Sequence, residues 1–326
     1  MPATDRRPTL QRCLAAIRAA QESPDQLVAV TDPPESNAAA ARNRGAARTS
    51  ADVLVFVDSD VIVHPDAFQR LRRAFAADPD LIAVFGSYDE SPEGGGVVSR
   101  FRNLLHHHVH QSSAGRATTF WCGLGAVRRR DFEQLGGFDE RLPSIEDIDL
   151  GLRLASRGAR IVLDPDLQGT HLKRWGMREM VRVDFAVRGM PWVALLLRQR
   201  RARSRAAPDA PPPARALNLG WPHRLSALAS LIGAGALLLG RWRTALTALI
   251  AMLALNRPFY ALLARRVGVK GAAAGVILHV IHQLTALAAV PAGLVLYLRW
   301  RRSNSSDPRN SCSASARRAP SLPPSR

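Results

Sequence analysis

At 326 residues the chain has room for one large domain and a smaller unit, and its 47% hydrophobic content is ordinary for a globular protein. A net charge of +18 calls for an anionic partner, yet no zinc-finger spacing or recognition motif accompanies it, which sets nucleic acid aside and leaves a lipid surface or a phosphorylated substrate. Cys13, Cys122 and Cys312 are odd in number and far apart, which excludes a disulfide framework and a CxxC zinc site.

The N-terminal MPATDRRPTLQRCLAAI lacks the apolar core of a cleaved signal peptide, and its residues 9–21 are predicted as an amphipathic helix. LVAVTD (27–32) reads as a short strand ending at Pro33-Pro34, and 38–48 as an alanine-rich helix. VLVFVDSD (53–60) begins as a continuous β-branched run, the pattern of a buried parallel strand. A helix at 65–77 and the strand LIAVFGS (81–87) follow. This alternation predicts an α/β domain with a mostly parallel sheet, whose ligands bind beyond the carboxyl ends of the strands. Further along come a helix at 97–111, the stretch ATTFWCGLGAVRR (117–129), a helix opening at IEDIDLGLRLASRG (145–158), the strand RIVLDPD (160–166) and a helical segment at 177–198.

Composition then changes. Residues 199–216 read as a basic Pro/Ala/Arg linker, 217–300 as a helical membrane region and 301–326 as a disordered basic tail, so that 1–198 form the catalytic domain. The apolar runs Leu225–Leu239 and Thr244–Leu255 are separated by Arg241-Trp242-Arg243 and are each shorter than a span of ~20 residues, which suits a tight helical hairpin. Gly271–Leu298 is longer and carries His279, His282 and Pro291. Basic clusters at Arg198–Arg205, Arg265–Lys270 and Arg299–Arg302 flank these runs, where the positive-inside bias places them. A multi-pass protein of the inner or plasma membrane with a cytoplasmic catalytic domain is the expectation. The three basic clusters ask for an even number of spans, whereas three apolar blocks suggest an odd one.

Three groups of residues carry chemistry. Asp58 and Asp60 of the DSD triplet follow the best strand, and hard carboxylate oxygens there suit Mg²⁺ or Mn²⁺ bound to a diphosphate. An Asp-x-Asp alone also closes many strands as a polar turn. Glu146, Asp147 and Asp149 exceed what capping one helix requires, and a carboxylate at this place can serve as a general base. In HLKRW, His171 can complete a metal site, a basic side chain can neutralise a departing diphosphate, and Trp175 can stack on a sugar. Of the histidines His106, His107, His108 and His110, only the first and last share a helix face, so contacts with an acceptor, a lipid headgroup or the membrane interface are expected rather than a zinc site. Gly94-Gly95-Gly96 is expected to be a mobile lid near the acceptor.

In this order ARNRG (41–45), VFVDSD (55–60), GLGAVRRRDFEQLGGFDE (123–140), IEDIDLGLRL (145–154) and HLKRW (171–175) resemble the family 2 glycosyltransferases over roughly residues 37–198. The resemblance implies a GT-A-like, Rossmann-type nucleotide-diphospho-sugar transferase domain, here joined to C-terminal transmembrane helices. It implies that Asp60, Asp58 and His171 surround a divalent metal, and that Asp32 (near the base), Arg42, Asp58, Arg174 and Trp175 contact a nucleotide-diphospho-sugar donor. Asp147, with Glu146 beside it, becomes the base that deprotonates a hydroxyl acceptor in an inverting displacement, and the membrane segments point to a lipid-linked or cell-envelope glycan acceptor. His171 stands where processive members carry the glutamine of QxxRW, which argues against a processive polysaccharide synthase. Members of the family usually open with a strand of the type VSVVIPxYN. This chain is expected to start at the following helix, which would leave an unpaired apolar strand edge and keeps open a catalytically degenerate membrane-bound partner protein.

Overall fold

A computed structural model describes residues 1–5, 8–34, 36–206 and 220–305. Their elements are α1 (Leu10–Arg18), α2 (Ala38–Ala47), β1 (Val53–Val57), β2 (Val61–Val63), α3 (Ala67–Ala77), β3 (Leu81–Tyr88), α4 (Val97–Gln111), β4 (Gly115–Ala117), β5 (Leu124–Arg128), α5 (Arg129–Gln134), α6 (Glu146–Ser156), β6 (Arg160–His171) and α7 (Met177–Arg182). A π-helical segment, Val183–Gly189, leads into α8 (Met190–Ala206), and α9 (Trp221–Leu238), α10 (Trp242–Leu255) and α11 (Arg257–Ser305) are the last of the described elements.

The sheet runs β1-β5-β3-β6-β2, with β4 paired to β6. Only β3 and β6 pair in parallel; β1–β5, β5–β3, β6–β2 and β6–β4 are antiparallel. The mostly parallel sheet expected from the strand–helix alternation is therefore corrected to a mixed one. The reason is β5, which inserts antiparallel between β1 and β3 after a loop rather than a crossover helix. Because it does so, β1, β3 and β6 still point the same way. Their carboxyl ends deliver Asp58, Asp89 and Leu172 to one edge, where β5 also begins with Gly123 accepting from the Asp58 N–H at 3.1 Å. Phe56, Phe85, Phe120, Phe132 and Phe138 fill the core under this edge.

Leu27–Asp32 is not the regular strand expected. Val30 alone forms a bridge, in parallel with Pro2. Its N–H donates to Met1 O at 3.0 Å and its carbonyl accepts from Ala3 N–H at 2.9 Å, while the Met1 ammonium donates to Val28 O at 3.0 Å. Burial pushes that ammonium down to about 6. So the chain meets Val28–Val30 before its first helix, where the sequence reading placed no extended segment. Beyond β5, β1 has no strand partner among the described residues, and an apolar cleft of about 390 Å³ lies between β1 and residues 24–28.

The C-terminal helices depart from expectation in two places. α8 continues through Ala206, into the stretch read as a linker; residues 207–219 and the tail from 306 lie outside the described residues. α9 and α10 pack as the expected hairpin, with Gly233 against Ala248. α11 runs unbroken past Pro291 and departs from helical geometry only at Gly268 (φ 74°), where a positive φ suits a residue without Cβ. It is the one described helix long and apolar enough to cross a membrane by length and composition. The first part of α11 is fastened to α4 through Phe101, Leu104, Phe259 and Leu263, and the π-helical segment and α8 also pack on α11.

Helix α6 sits close to the loop segment between β4 and β5. A Cβ on Gly151 would lie 2.2 Å from Phe120 N and 2.4 Å from the Thr119 carbonyl carbon. Gly151→Ala is accordingly expected to destabilise the domain by about 1–3 kcal/mol, read from urea unfolding, because backbone rather than a yielding side chain fills the space.

Candidate active site

The DSD turn is held from three directions. Val61 N–H donates to Asp58 O at 3.1 Å, Leu172 N–H to Asp60 O at 2.9 Å, and Thr9 Oγ1 and Cys13 Sγ donate to Ser59 O at 2.7 and 3.2 Å. A turn whose carbonyls are all occupied by α1, β2 and β6 cannot drift, so its carboxylates are fixed in space. Register then sets the neighbour of Asp60: β2 pairs Val61 with His171, which places His171 Nε2 3.7 Å from Asp60 Oδ2. The His171 ring stacks on Tyr88, with centroids 4.0 Å apart, and its Nδ1 meets Asn103 Oδ1 at 2.5 Å.

Arg42, from α2, is 5% exposed and reaches both acidic motifs. One guanidinium nitrogen donates to Asp58 Oδ1 at 2.7 Å and the other to Glu146 Oε1. Glu146, expected beside Asp147 as a catalytic group, is thus occupied by Arg42 and buried. Asp147 has no such partner. Its backbone precedes Ile148, whose N–H donates to Asp147 Oδ1 at 2.8 Å, and Cys122 Sγ donates towards Oδ2 at 3.6 Å. Burial, and then the neighbouring Glu146 charge, push Asp147 up to about 6, against the opposing pull of Arg42 and Arg188. Burial also pushes the Cys122 thiol well above its usual range, so it remains a neutral donor. The residue before the pair, Ile145, is buried in the left-handed region (φ 58°), a strained conformation for a β-branched residue that aims the start of α6.

A cavity of about 400 Å³ opens at this edge of the sheet. Arg42, Asp58, Ser59, Asp60 and His171 line it, as does Trp175. Asp32 is exposed and outside the lining; Thr4, Asp5 and Ser36 line it in that region instead. Arg174 is likewise exposed and outside, whereas Lys173 lines the cavity with its ammonium 4.1 Å from the Trp175 ring centre. The remaining wall comes from residues the sequence reading gave no role: Arg102 and Asn103 on α4, and Arg182, Val187 and Arg188 around the π-helical segment. No sequence signal marks a π turn, and arginines in a helix read as a solvated face.

The histidine cluster divides by face. His107 Nδ1 meets Tyr88 O at 2.7 Å and His110 Nδ1 meets Gly86 O at 2.8 Å, both buried against β3. His108 packs on Phe259 of α11, and His106 lines the cavity between Tyr88 and Trp121. The expected interfacial role therefore gives way to structural contacts for His107 and His110. The segment that leads into the Gly94–Gly96 loop makes two sets of surface ion pairs. Arg12 clamps Glu93 at 2.6 and 2.9 Å, and Arg265 and Arg266 of α11 hold Glu90.

Among the described residues no three His, Cys, Asp or Glu side chains converge as a complete metal cage. Asp60 with one flanking histidine fits a cation that takes most of its oxygens from a bound phosphate group and water, the habit of Mg²⁺ rather than of a structural ion.

The Arg42 bridge generates a stability prediction. Arg42→Met leaves Glu146 buried without a counter-charge and is expected to cost about 3–5 kcal/mol in chemical denaturation. Glu146→Gln keeps an acceptor for the guanidinium and is expected to cost clearly less.

Against known proteins, the model for "Glycosyl transferase family 2" matches residues 11–136. The pre-mycofactocin glycosyltransferase of Mycobacterium tuberculosis is 31% identical over 156 residues, covering 46% of this chain and 33% of that protein. The O-antigen biosynthesis protein RfbC of Myxococcus xanthus is also 31% identical over 156 residues, covering 42% of this chain and 12% of its own. The chain thus spans a third or less of the length of these curated relatives. Among solved structures, the mannosyltransferase PcManGT from Pyrobaculum calidifontis, in complex with GDP-Man and Mn²⁺, superposes with a TM-score of 0.50 at 21% identity, covering 91% of this chain and 85% of that one, a likeness of fold. With the mixed sheet and the DSD turn set at one cavity, the chain shares a GT-A-like fold, and its residues 11–136 match the family 2 glycosyltransferases.

Proposed function

We propose that the chain transfers a sugar from a nucleotide-diphospho-sugar to an acceptor hydroxyl, with inversion at the anomeric carbon. The observation that carries this reading is the joining of the two acidic motifs through one buried arginine, Arg42, which holds Asp58 and Glu146. Asp60 lines the cavity two residues from Asp58, and Asp147, next to Glu146 and outside the lining, is raised to about 6, the range of a base working near neutrality.

Each group then has a task set by its surroundings. Asp60, with Asp58 and His171, would hold a Mg²⁺ or Mn²⁺ that offsets the negative charge of the departing nucleoside diphosphate. Arg42 keeps Asp58 and Glu146 in place while its charge opposes the rise of the Asp147 pKa. Asp147 accepts the proton of the acceptor hydroxyl as that oxygen attacks the sugar from the face away from the diphosphate. Trp175, clamped by Lys173 and by Ser99 Oγ on its backbone N–H at 2.8 Å, provides a ring for the sugar or acceptor.

The C-terminal helices support membrane attachment. Leu228, Leu231, Leu238, Ile250, Ile277 and Val295 are all exposed on α9–α11, more apolar surface than a soluble monomer ordinarily leaves bare. We take α11 as a spanning helix, with the α9–α10 hairpin beside it and the transferase domain on the cytoplasmic face, at the inner or plasma membrane. The protein is expected to remain with membranes through alkaline carbonate extraction; release into the supernatant would refute attachment by a spanning helix.

The enzymatic reading is tested with membranes containing the full chain and a panel of nucleotide sugars. Release of nucleoside diphosphate is expected to require Mn²⁺ or Mg²⁺ and to stop on chelation. Asp147→Asn is expected to lower transfer roughly 10²–10⁴-fold while nucleotide binding survives, whereas Asp60→Asn is expected to lose both. The base works only when unprotonated, so kcat/KM is expected to fall about tenfold per pH unit below about 6 and to level off above it. Turnover that survives both substitutions would sink the assignment.

A further inference from the structure

Four side chains in the cavity wall carry buried polar atoms that nothing in the fold satisfies, Arg42 among them through its Nε. Asn103 is 1% exposed; its Oδ1 is taken by His171, and its Nδ2 is buried without a partner. Trp175 Nε1 and His106 Nδ1 are buried and unpartnered as well. A buried amide or indole N–H left unpaired costs on the order of 1–3 kcal/mol, so such groups in a cavity wall are positions that a water, an ion or a ligand atom would satisfy. Asn103 Nδ2 and Trp175 Nε1 can only donate. Sugar hydroxyls give and take hydrogen bonds, whereas a set of donors is matched by a group that only accepts.

Arg182 and Arg188 line the same cavity, and among the described residues neither has a carboxylate partner. Alone, an exposed arginine is an ordinary solvated charge. These two differ in their surroundings. Arg188 lies at the end of a π-helical segment that is pinned on both sides: Ser144 Oγ donates to Val187 O at 2.5 Å, and Asp184 is held by Arg102 at 2.5 Å and by His282 at 2.7 Å. The other nearby cations are already engaged, Arg102 by Asp184 and Lys173 by Glu179. π turns are rare and concentrate where a side chain must be re-aimed for function. Arg188 is also close enough to Asp147 for its charge to oppose the rise of that carboxyl.

Resting on the transferase reading above, we propose that Arg188, with Arg182 and the N–H donors of Asn103 and Trp175, forms a subsite for a phosphate group carried by the acceptor. The donor diphosphate belongs at the other set of residues, because the carboxylates Asp58 and Asp60 repel phosphate unless a divalent cation lies between them. Arg188 instead acts on the charge of Asp147, the base that the acceptor hydroxyl has to reach. Guanidinium and amide donors recognise phosphate oxygens with charge-assisted hydrogen bonds, and a phosphate anchored there would orient the hydroxyl toward Asp147. The phosphate can belong to a lipid headgroup or to a water-soluble ester; the chemistry of the subsite is the same.

The test uses the full chain in an uncharged detergent and isothermal titration calorimetry with methyl phosphate and with dodecyl phosphate, each with and without saturating UDP or GDP plus Mn²⁺. Methyl phosphate is expected to bind whether or not the nucleotide is present, and Arg188→Gln to weaken it about tenfold or more. Arg188→Lys is expected to restore part of the affinity, and nucleotide binding to be unchanged in both variants, which a misfolded cavity would not allow. Displacement of methyl phosphate by the nucleotide and Mn²⁺ would assign the cations to the donor and overturn the proposal. So would wild-type phosphate affinity in Arg188→Gln, or no phosphate binding by a protein that binds nucleotide. Failure to bind nucleotide would count separately, against the transferase reading itself. Where the subsite is upheld, dodecyl phosphate binding at least tenfold tighter than methyl phosphate names a lipid carrier, and equal affinity names a soluble one.

Discussion

A single buried cation organises this protein. Arg42 joins the loop after β1 to the first turn of α6, two segments more than eighty residues apart, by donating to Asp58 and Glu146 from one guanidinium. An uncompensated charge at that depth would be intolerable, so each partner needs the other two in place. This mutual requirement sets the distance between the carboxylates of the DSD turn and the carboxyl of Asp147. It also leaves Asp147 as the member of the acidic cluster with no cation bound to it, next to a neutral thiol and beneath a second negative charge.

The sheet provides the stage. β1, β3 and β6 share a direction although β5 runs against them, and the residues that follow these three strands meet at one rim. Antiparallel pairing of β2 with the end of β6 brings Asp60 to His171, and α4 adds Asn103 behind the imidazole. From there the packing continues outward without a break: α4 onto the first part of α11, and Asp184 of the π-helical segment onto Arg102 and His282. The cavity is therefore shared between the α/β domain and the helices that follow it, and Glu90, bound by Arg265 and Arg266, adds a second tie between them.

What could be read from the sequence was what local pattern encodes. The β-branched run before Asp58 names a buried strand, and three acids at the opening of an amphipathic stretch name a helix start with carboxylates to spare. Arg42 of ARNRG lines the cavity with Asp58 and Asp60, and its bond to Glu146 depends on tertiary packing. Pairing direction has no local signature, so the antiparallel insertion of β5 was invisible, as was the short parallel bridge between Pro2 and Val30. His107 and His110 looked like surface chemistry because a helix gives no sign of which carbonyls wait across the interface; Tyr88 O and Gly86 O took them. Arg182 and Arg188 were passed over for a related reason, since the stretch VDFAVRG carries nothing that distinguishes a π turn from an α turn.

That wide turn has a geometric effect on everything downstream. A π turn accommodates about one residue more than an α turn, which rotates the following helix by roughly 100° relative to an uninterrupted one. Upstream of Val183, α7 presents Glu179 and Arg182 to the cavity; downstream, α8 presents Val193 and Met190 to Gly293 of α11, close enough that a Cβ on that glycine would clash. One continuous rod serves two masters that an unbroken 3.6-residue period could not satisfy together. Removing a single residue from the segment would tighten the coil and bring the two faces into conflict: either α8 stays seated on α11 and the arginines swing away from the site, or the arginines stay and the helix is pried off its neighbour.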